Sequence, residues 1–542
     1  MSRLWNLETL DLSNCLELKE LPRDIIKLVN LRHLINEECD SLVGMPYGLG
    51  LLTNLRTLSL FVVSKGNSSS SRKRKNGGIE ELNGLNNLRG ELKIKNLKYV
   101  ENGSLANLKE KQFLRSLILN WGRSDGEEVE ENDEVVLVGL EPNPNLKEIT
   151  ISSFLGVKMC NWLSFLPNLT SISIDKCRKC QYIPMLDQLP YLKSLSLRFL
   201  YDLEYISQEP SNNYSSTPST TFFPSLEELT LYDCPKLEEW WRIDDDDRVG
   251  LPSFPCLSKL RIEYCPNLMS MPLYPSIEEL TLSRTSSKPL GQTMMDALTS
   301  LMDLAIWSCP RLTQVHHGIR LDLLMDDMQS QSLRNLYSLK LYSLPKLASL
   351  PKGIQYLTSL QDLTVNECYQ LELPENEDED DMPWKGFGSL NSLELSGLPK
   401  LVSLPKGLQY LTSLQHLFID GCGQLEFPNN EDEDEDDMPW QGLKSLHSLQ
   451  LYSLPKPVSL PKGLQYVTTL QDLDIEKCHN LTDLLEWISN ATSLSRLIIY
   501  KCPKSSTKCK YKMGVDWPKI AHIPTIRIDY EWVQEKCCYQ LN

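Results

Sequence analysis

Cys177 and Cys180, three positions apart, have the spacing with which thiolates hold zinc or exchange a disulfide. A second candidate is carboxylate chemistry. Asp244–Asp247, Glu375 to Asp381 and Glu431 to Asp437 are acidic runs dense enough to attract a hard cation such as calcium. Spacing argues against both. Calcium-binding loops set oxygen ligands around a central glycine, which these runs lack, so solvated charge is the better reading. Cys177 belongs to a series of cysteines that runs the length of the chain, which leaves the pair a weak metal signal. The 7 histidines are scattered except for the adjacent His316 and His317. No GxxxxGK[ST] phosphate loop, HExxH or GxSxG occurs. Nothing supports an enzyme, and no catalytic residue, metal or cofactor is expected. What remains is recognition chemistry: Tyr232, Arg261, Trp307, Lys340, Tyr342, Tyr452 and Tyr500 recur at set positions of one pattern. Tyr, Trp and Arg carry much of the energy of protein interfaces.

That pattern is leucine-x-x-leucine-x-leucine-x-x-cysteine. It reads Leu7, Leu10, Leu12, Cys15 near the start, Leu226, Leu229, Leu231, Cys234 in the middle, and Leu494, Leu497, Ile499, Cys502 near the end. Such spacing marks leucine-rich repeats, each giving one short parallel strand and a return segment. Alternate strand residues share a face, so Leu229 and Leu231 turn inward while Thr230 and Tyr232 turn outward. One repeat cannot bury its leucines alone; a stack makes one continuous core. The expected fold is an α/β leucine-rich-repeat solenoid (a horseshoe), with parallel strands on the concave face and right-handed crossovers.

About nineteen irregular repeats fill residues 1–515, with a cap and tail at 516–542. Their strands fall near Leu10, Leu34, Leu58, Leu92, Leu117, Ile149, Ile172, Leu195, Leu229, Leu260, Leu280, Leu304, Leu339, Leu363, Leu393, Leu417, Leu449, Leu473 and Leu497, and Ile526 and Ile528 close the stack. Polar interruptions at 64–78, 124–134 and 208–221 read as mobile loops. Acidic insertions at 375–381 and 429–437 stretch an otherwise regular spacing on the return side. The block LYSLPKLASLPKGIQYLTSLQDL at 341–363 returns at 395–417 and 451–473, which shows that a pair of repeats was copied. Leu-Pro pairs such as Leu404-Pro405 bias the chain away from α-helix. Returns should therefore be mostly irregular, with a helical or 3₁₀ turn after Pro22 and after Pro405. Trp384 and Trp440 end the acidic insertions and are expected to pin those loops to the convex side.

The net charge of −17 equals the charge of the three acidic runs, so the rest of the chain is close to neutral. That composition disfavours nucleic acid, whose recognition needs a basic footprint. One basic cluster, Arg72 to Lys75, follows four serines; it reads as a solvated loop or a nuclear-entry signal. Ten of the 16 cysteines (Cys15, Cys39, Cys177, Cys234, Cys265, Cys309, Cys368, Cys422, Cys478 and Cys502) share the repeat position where the chain leaves the strand. A small buried residue with a weak donor suits that corner. No signal-peptide stretch and no run of 18 apolar residues is present, so the expectation is a cytoplasmic chain with reduced thiols and no membrane insertion.

Several blocks carry a more specific likeness. LWNLETLDLSNCLELKELPRDIIKLVNLRHL at the start resembles the first repeats of plant intracellular disease-resistance proteins of the coiled-coil, nucleotide-binding, leucine-rich-repeat family. GGIEELNGLNNLRGELKIKNLKYVEN at 77–102, GLEPNPNLKEITISSFLGVKMCNWL at 139–163 and CRKCQYIPMLDQLPYLKSLSL at 177–197 are similar to later blocks, and DWPKIAHIPTIRID at 516–529 to the terminal cap. The resemblance implies an innate immune receptor whose repeats recognise a pathogen effector or a guarded host protein. It also implies a nucleotide switch, but the sequence carries no phosphate loop, so what carries over is recognition and pairing with a full-length nucleotide-binding relative. The alternative is a general intracellular leucine-rich-repeat scaffold or regulator of another protein. A surface-receptor ectodomain would favour xxGxIP repeats, and a ubiquitin-ligase receptor a helical segment ahead of the repeats; neither is present.

Overall fold

The computed structural model describes residues 4–65, 76–122, 132–208, 222–242, 253–268, 273–285, 300–308, 333–350, 352–373, 383–427, 439–482, 484 and 486–534. It falls into two units, Met1–Ile277 and Glu278–Asn542. In the first, Thr9–Asp11, His33–Ile35 and Thr57–Leu58 form a small parallel sheet. A longer parallel sheet follows through Leu60–Val62, Arg89–Lys95, Phe113–Asn120, Glu148–Ser152, Ser171–Asp175, Ser194–Arg198, Glu228–Tyr232 and Lys259–Glu263. In the second unit the parallel order is Glu279–Ser283, Asp303–Trp307, Ser338–Tyr342, Asp362–Asn366, Ser392–Ser396, His416–Asp420, Ser448–Tyr452, Asp472–Glu476, Arg496–Tyr500 and Thr525–Ile528. Glu531–Gln534 then doubles back antiparallel on the last of these. This is a leucine-rich-repeat solenoid, and each strand expected from the leucine spacing is present.

From the third repeat on, the two apolar strand residues are buried against those of the neighbouring repeats, as with Leu304 and Ile306 against Leu339 and Leu341, whereas Leu10 and Leu12 of the first are half-buried. The chain then leaves most repeat strands through one left-handed residue, including Ser343, Glu367, Ser453 and Lys477. Side chains other than glycine are uncommon in that region. Here the conformation aims the residue's N–H at the next repeat: Ser343 donates to the Asn366 carbonyl at 2.8 Å, and Lys477 to that of Tyr500 at 2.9 Å. The cysteine corner works in the opposite direction. Cys422 Sγ points to the Leu395 carbonyl of the preceding repeat at 3.7 Å, and Cys502 Sγ to that of Ile475 at 3.7 Å. A corner that carries a cysteine, such as Gly421–Cys422, is thus tied forward through backbone and backward through sulfur.

Burial of the cysteine series holds for Cys39, Cys177, Cys234, Cys265, Cys368, Cys422, Cys478 and Cys502. Cys15 is a correction: it is exposed, because its repeat has no strand paired before it. Cys309 lies outside the described residues. Cys177 and Cys180 are both buried and direct their thiols at backbone carbonyls, Cys177 toward Ile151 and Cys180 toward Tyr182, which accounts for the pair by packing. Burial pushes the Cys180 thiol up to about 12 and Cys422 up to about 11, so both stay protonated at neutral pH.

The returns are mainly 3₁₀ turns, including Arg23–Lys27 after Pro22 and Lys406–Tyr410 after Pro405. Two features depart from the expected irregularity. An α-helix, Asp133–Gly139, begins within the stretch read as a loop at 124–134, opening with Asp133 and Glu134 in its first turn, where carboxylates favour the helix dipole. Tyr205–Gln208 and Glu239–Arg242 form a separate, two-stranded parallel sheet. Both arise from short stretches that the repeat spacing does not mark. The remaining expected interruptions, the basic cluster, the acidic runs and His316-His317 lie wholly or mostly outside the described residues.

Trp384 and Trp440 are buried in the return layer. Each sits in a 3₁₀ turn, Pro383–Gly386 or Pro439–Gly442. A side chain at Gly407 would strike Trp384, and one at Gly463 would strike Trp440, so each indole packs on the following repeat. Their task is core packing. The insertions they were expected to pin lie outside the described residues.

Candidate partner-binding face

Strand alternation fixes which side chains are available. The first, third and fifth residues of each five-residue strand face away from the leucine core. In the second unit, register aligns the fifth positions as Trp307, Tyr342, Asn366, Ser396, Asp420, Tyr452, Glu476 and Tyr500. The row inferred from the sequence is therefore a physical row. Trp307 and Tyr342 are neighbours in it and stack, ring centroids 3.9 Å apart and planes 24° apart. Trp307 remains 43% exposed. The stack is thus both a stabilising cross-strand pair and an open aromatic plate. Lys340 stands exposed one position in, beside Ala305 and Thr364.

Further along the row, Tyr452 and Tyr500 flank Glu476. Between them lies a hollow of about 320 Å³ whose lining includes Asp474, Ile498 and Arg527. Asp474 is its buried carboxylate, 7% exposed. Arg496 bridges Asp472 at 3.0 Å through Nε and approaches Asp474 Oδ2 at 3.5 Å through Nη2. Asp474 Oδ1 is shut off from water and has no hydrogen-bond partner. Burial raises the Asp474 carboxyl above the usual carboxylate range, with Arg496 pulling the other way. Burial likewise raises Tyr452. Tyr500 is held down by its hydrogen bond with Tyr530, whose ring lies 5.2 Å away.

Tyr232 and Arg261 belong to the first unit and form a separate group. Tyr232 packs edge-on to Phe199 at 5.0 Å, tilts against Tyr264 at 5.4 Å, and carries the Arg198 guanidinium 5.3 Å over its ring. Arg261 is exposed and lies 3.6 Å from Glu263. The sequence row passed over Phe418, a third-position residue whose ring meets Tyr452 edge-on at 5.2 Å. It also passed over Asp474, Arg496 and Arg527. Alternation marks all four as outward-facing; what it cannot show is that one of them ends up buried beneath its neighbours.

Two family profiles match. One, described as R13L1/DRL21 LRRs, covers residues 79–200. The other, described as plant disease resistance protein RPS2-like leucine-rich repeats, covers 140–280 and 376–503. This is a leucine-rich-repeat region of the plant disease-resistance family. Among individual relatives, the disease-resistance repeats are 31% identical over 312 residues to the putative disease resistance protein RGA4 of Solanum bulbocastanum, covering 57% of this chain and 30% of that protein. They are 32% identical over 321 residues to the disease resistance protein RGA2 of the same species, covering 57% of this chain and 31% of that one. The chain thus spans under a third of the length of these relatives. The fold is shared with the TLR13 chain in a crystal structure of a TLR13–ssRNA13 complex, at a TM-score of 0.52 and 18% identity, over 91% of this chain and 64% of that one. No helix among the described residues is long and apolar enough to cross a membrane.

Proposed function

We propose that this disease-resistance repeat region holds a protein partner against its strand face and contributes recognition. The partner is a pathogen effector, a guarded host protein or a full-length nucleotide-binding relative. The observation that carries this reading is the exposed Trp307–Tyr342 stack, set on a rigid parallel sheet beside Lys340. Aromatic groups fixed on a sheet lose little entropy when a partner covers them, which is why such groups dominate interface energies. The Tyr452–Tyr500 segment extends the same row, and the Tyr232–Arg261 group offers a comparable surface on the first unit.

The face can be located by photocrosslinking in infected plant tissue. A benzophenone side chain at Ala305, between the strand leucines, should capture a partner, whereas one at Gln409 in the return turn should not. Capture from Gln409 alone would place recognition on the return side. The isolated chain should bind no ATP at micromolar concentration by calorimetry, since its sequence offers no phosphate loop.

A further inference from the structure

The hollow beside Asp474 has unmet chemistry. Rows two strands apart are separated by roughly 10 Å, which leaves room for one flat group between the Tyr452 and Tyr500 side chains. Glu476 lies between them in the same row, and Asp474 one position inward on the same strand. Asp474 is a carboxylate with Oδ1 unpartnered and Oδ2 only loosely approached by Arg496. Burying a carboxylate with one oxygen unpartnered is costly, and a small turn of that side chain toward the hollow lets an arriving cation with several N–H groups offset the cost. The lining cation is Arg527, whose Nε donates to the Asp529 carbonyl at 3.2 Å, while Arg496 beside the hollow bridges Asp472 and reaches Asp474 Oδ2 at 3.5 Å. Lys477 pairs with Glu476 at 3.0 Å, and Lys501 lies 4.9 Å over the Tyr500 ring.

We propose that this hollow is a socket for an arginine side chain of the protein partner, its guanidinium lying between Tyr452 and Tyr500 and donating toward Asp474 and Glu476. This rests on the strand-face reading given above. Arginine fits better than lysine because a planar guanidinium both stacks on rings and presents a fork of donors to carboxylates. The protein already uses this chemistry internally. Arg527 lies 5.8 Å from the Tyr500 ring and 5.4 Å from the Trp532 ring, and Arg198 covers Tyr232 in the first unit.

The test uses the full chain labelled with 3-fluorotyrosine, with the Tyr452 and Tyr500 fluorine signals assigned through Tyr452→Phe and Tyr500→Phe. The probe is acetyl-arginine amide, with the neutral isostere acetyl-citrulline amide as its control. Both signals should move with the arginine compound, saturating at millimolar concentration, and stay in place with citrulline. Asp474→Asn should weaken the response about five- to tenfold while the other fluorine signals keep their dispersion. Should Asp474→Asn fail to fold, Tyr452→Ala removes one wall instead and should weaken the Tyr500 response by a similar factor. Equal shifts with citrulline, no shift with either compound, or an unchanged response in a folded variant would overturn the socket. Because the probe needs no protein partner, a positive titration alongside failed capture from Ala305 would sink the strand-face reading alone, and the reverse pair of results would sink the socket alone.

Discussion

Lys111 occupies a slot of the Leu108, Leu114, Leu117 series that other repeats fill with leucine. It is fully buried, and its Nζ donates to the Leu82 carbonyl at 2.7 Å and to Asn86 Oδ1 at 3.2 Å. Burial brings its pKa down from 10.5 to about 8. Between those values the unfolded chain holds a proton that the folded chain has released, so this residue makes stability rise with pH across that window. Below about 8 its penalty is fully present. Lys111→Met removes the effect, and the stability difference between wild type and variant should move by about 2–3 kcal/mol in favour of wild type between pH 8 and 10.5. Denaturation across that range checks it; a flat difference would mean that the amine is not desolvated. Asn36 is a second polar residue at a leucine position. It is fully buried, donates to the Leu60 carbonyl at 2.8 Å and accepts from the Leu60 N–H at 3.1 Å. Its side chain takes over pairing where the first small sheet gives way to the longer one.

At the scale of elements, the copied blocks give a controlled comparison within one molecule. Gly386 and Gly442 end equivalent turns, and a Cβ on either would fall within 2 Å of a carbonyl oxygen of the preceding repeat, Gln355 or Gln409. Trp384 and Trp440 repeat the packing on Gly407 and Gly463. Because each repeat touches only its neighbours, equal damage in the two copies should have nearly equal cost. Trp440→Ala should destabilise by about 3–5 kcal/mol and Gly442→Ala by about 1–3 kcal/mol, with matching values at Trp384 and Gly386, measured by urea unfolding. Unequal costs would show that the acidic insertions contribute to one copy and not to the other. Strand positions were legible in the sequence because the leucine spacing is two-periodic and repeated. The 3₁₀ turns after Pro22 and Pro405 were legible because proline fixes the entry to each turn. The helix at Asp133–Gly139 and the sheet joining Tyr205–Gln208 to Glu239–Arg242 were not, since the helix belongs to one repeat and the sheet to two, too few to leave a periodic signal.

For the whole molecule, the same logic limits what a sequence says about a site. Alternation placed Tyr342, Tyr452 and Tyr500 outward and in one row, which the register bears out. It did not separate Tyr232 and Arg261 into the other unit, because spacing is blind to where a stack divides. Nor did it identify Asp474, whose burial comes from neighbours on adjacent strands. The central claim, that the strand face is the recognition surface, is tested most directly by calorimetry with the partner captured at Ala305. Trp307→Ala and Tyr342→Ala should each weaken binding by about 1–2 kcal/mol, with circular dichroism unchanged because the leucine core is untouched. Deleting 375–381 should cost less, since exposed charge is screened within about 8–10 Å at physiological salt. Binding lost on that deletion and untouched by the aromatic substitutions would contradict the account.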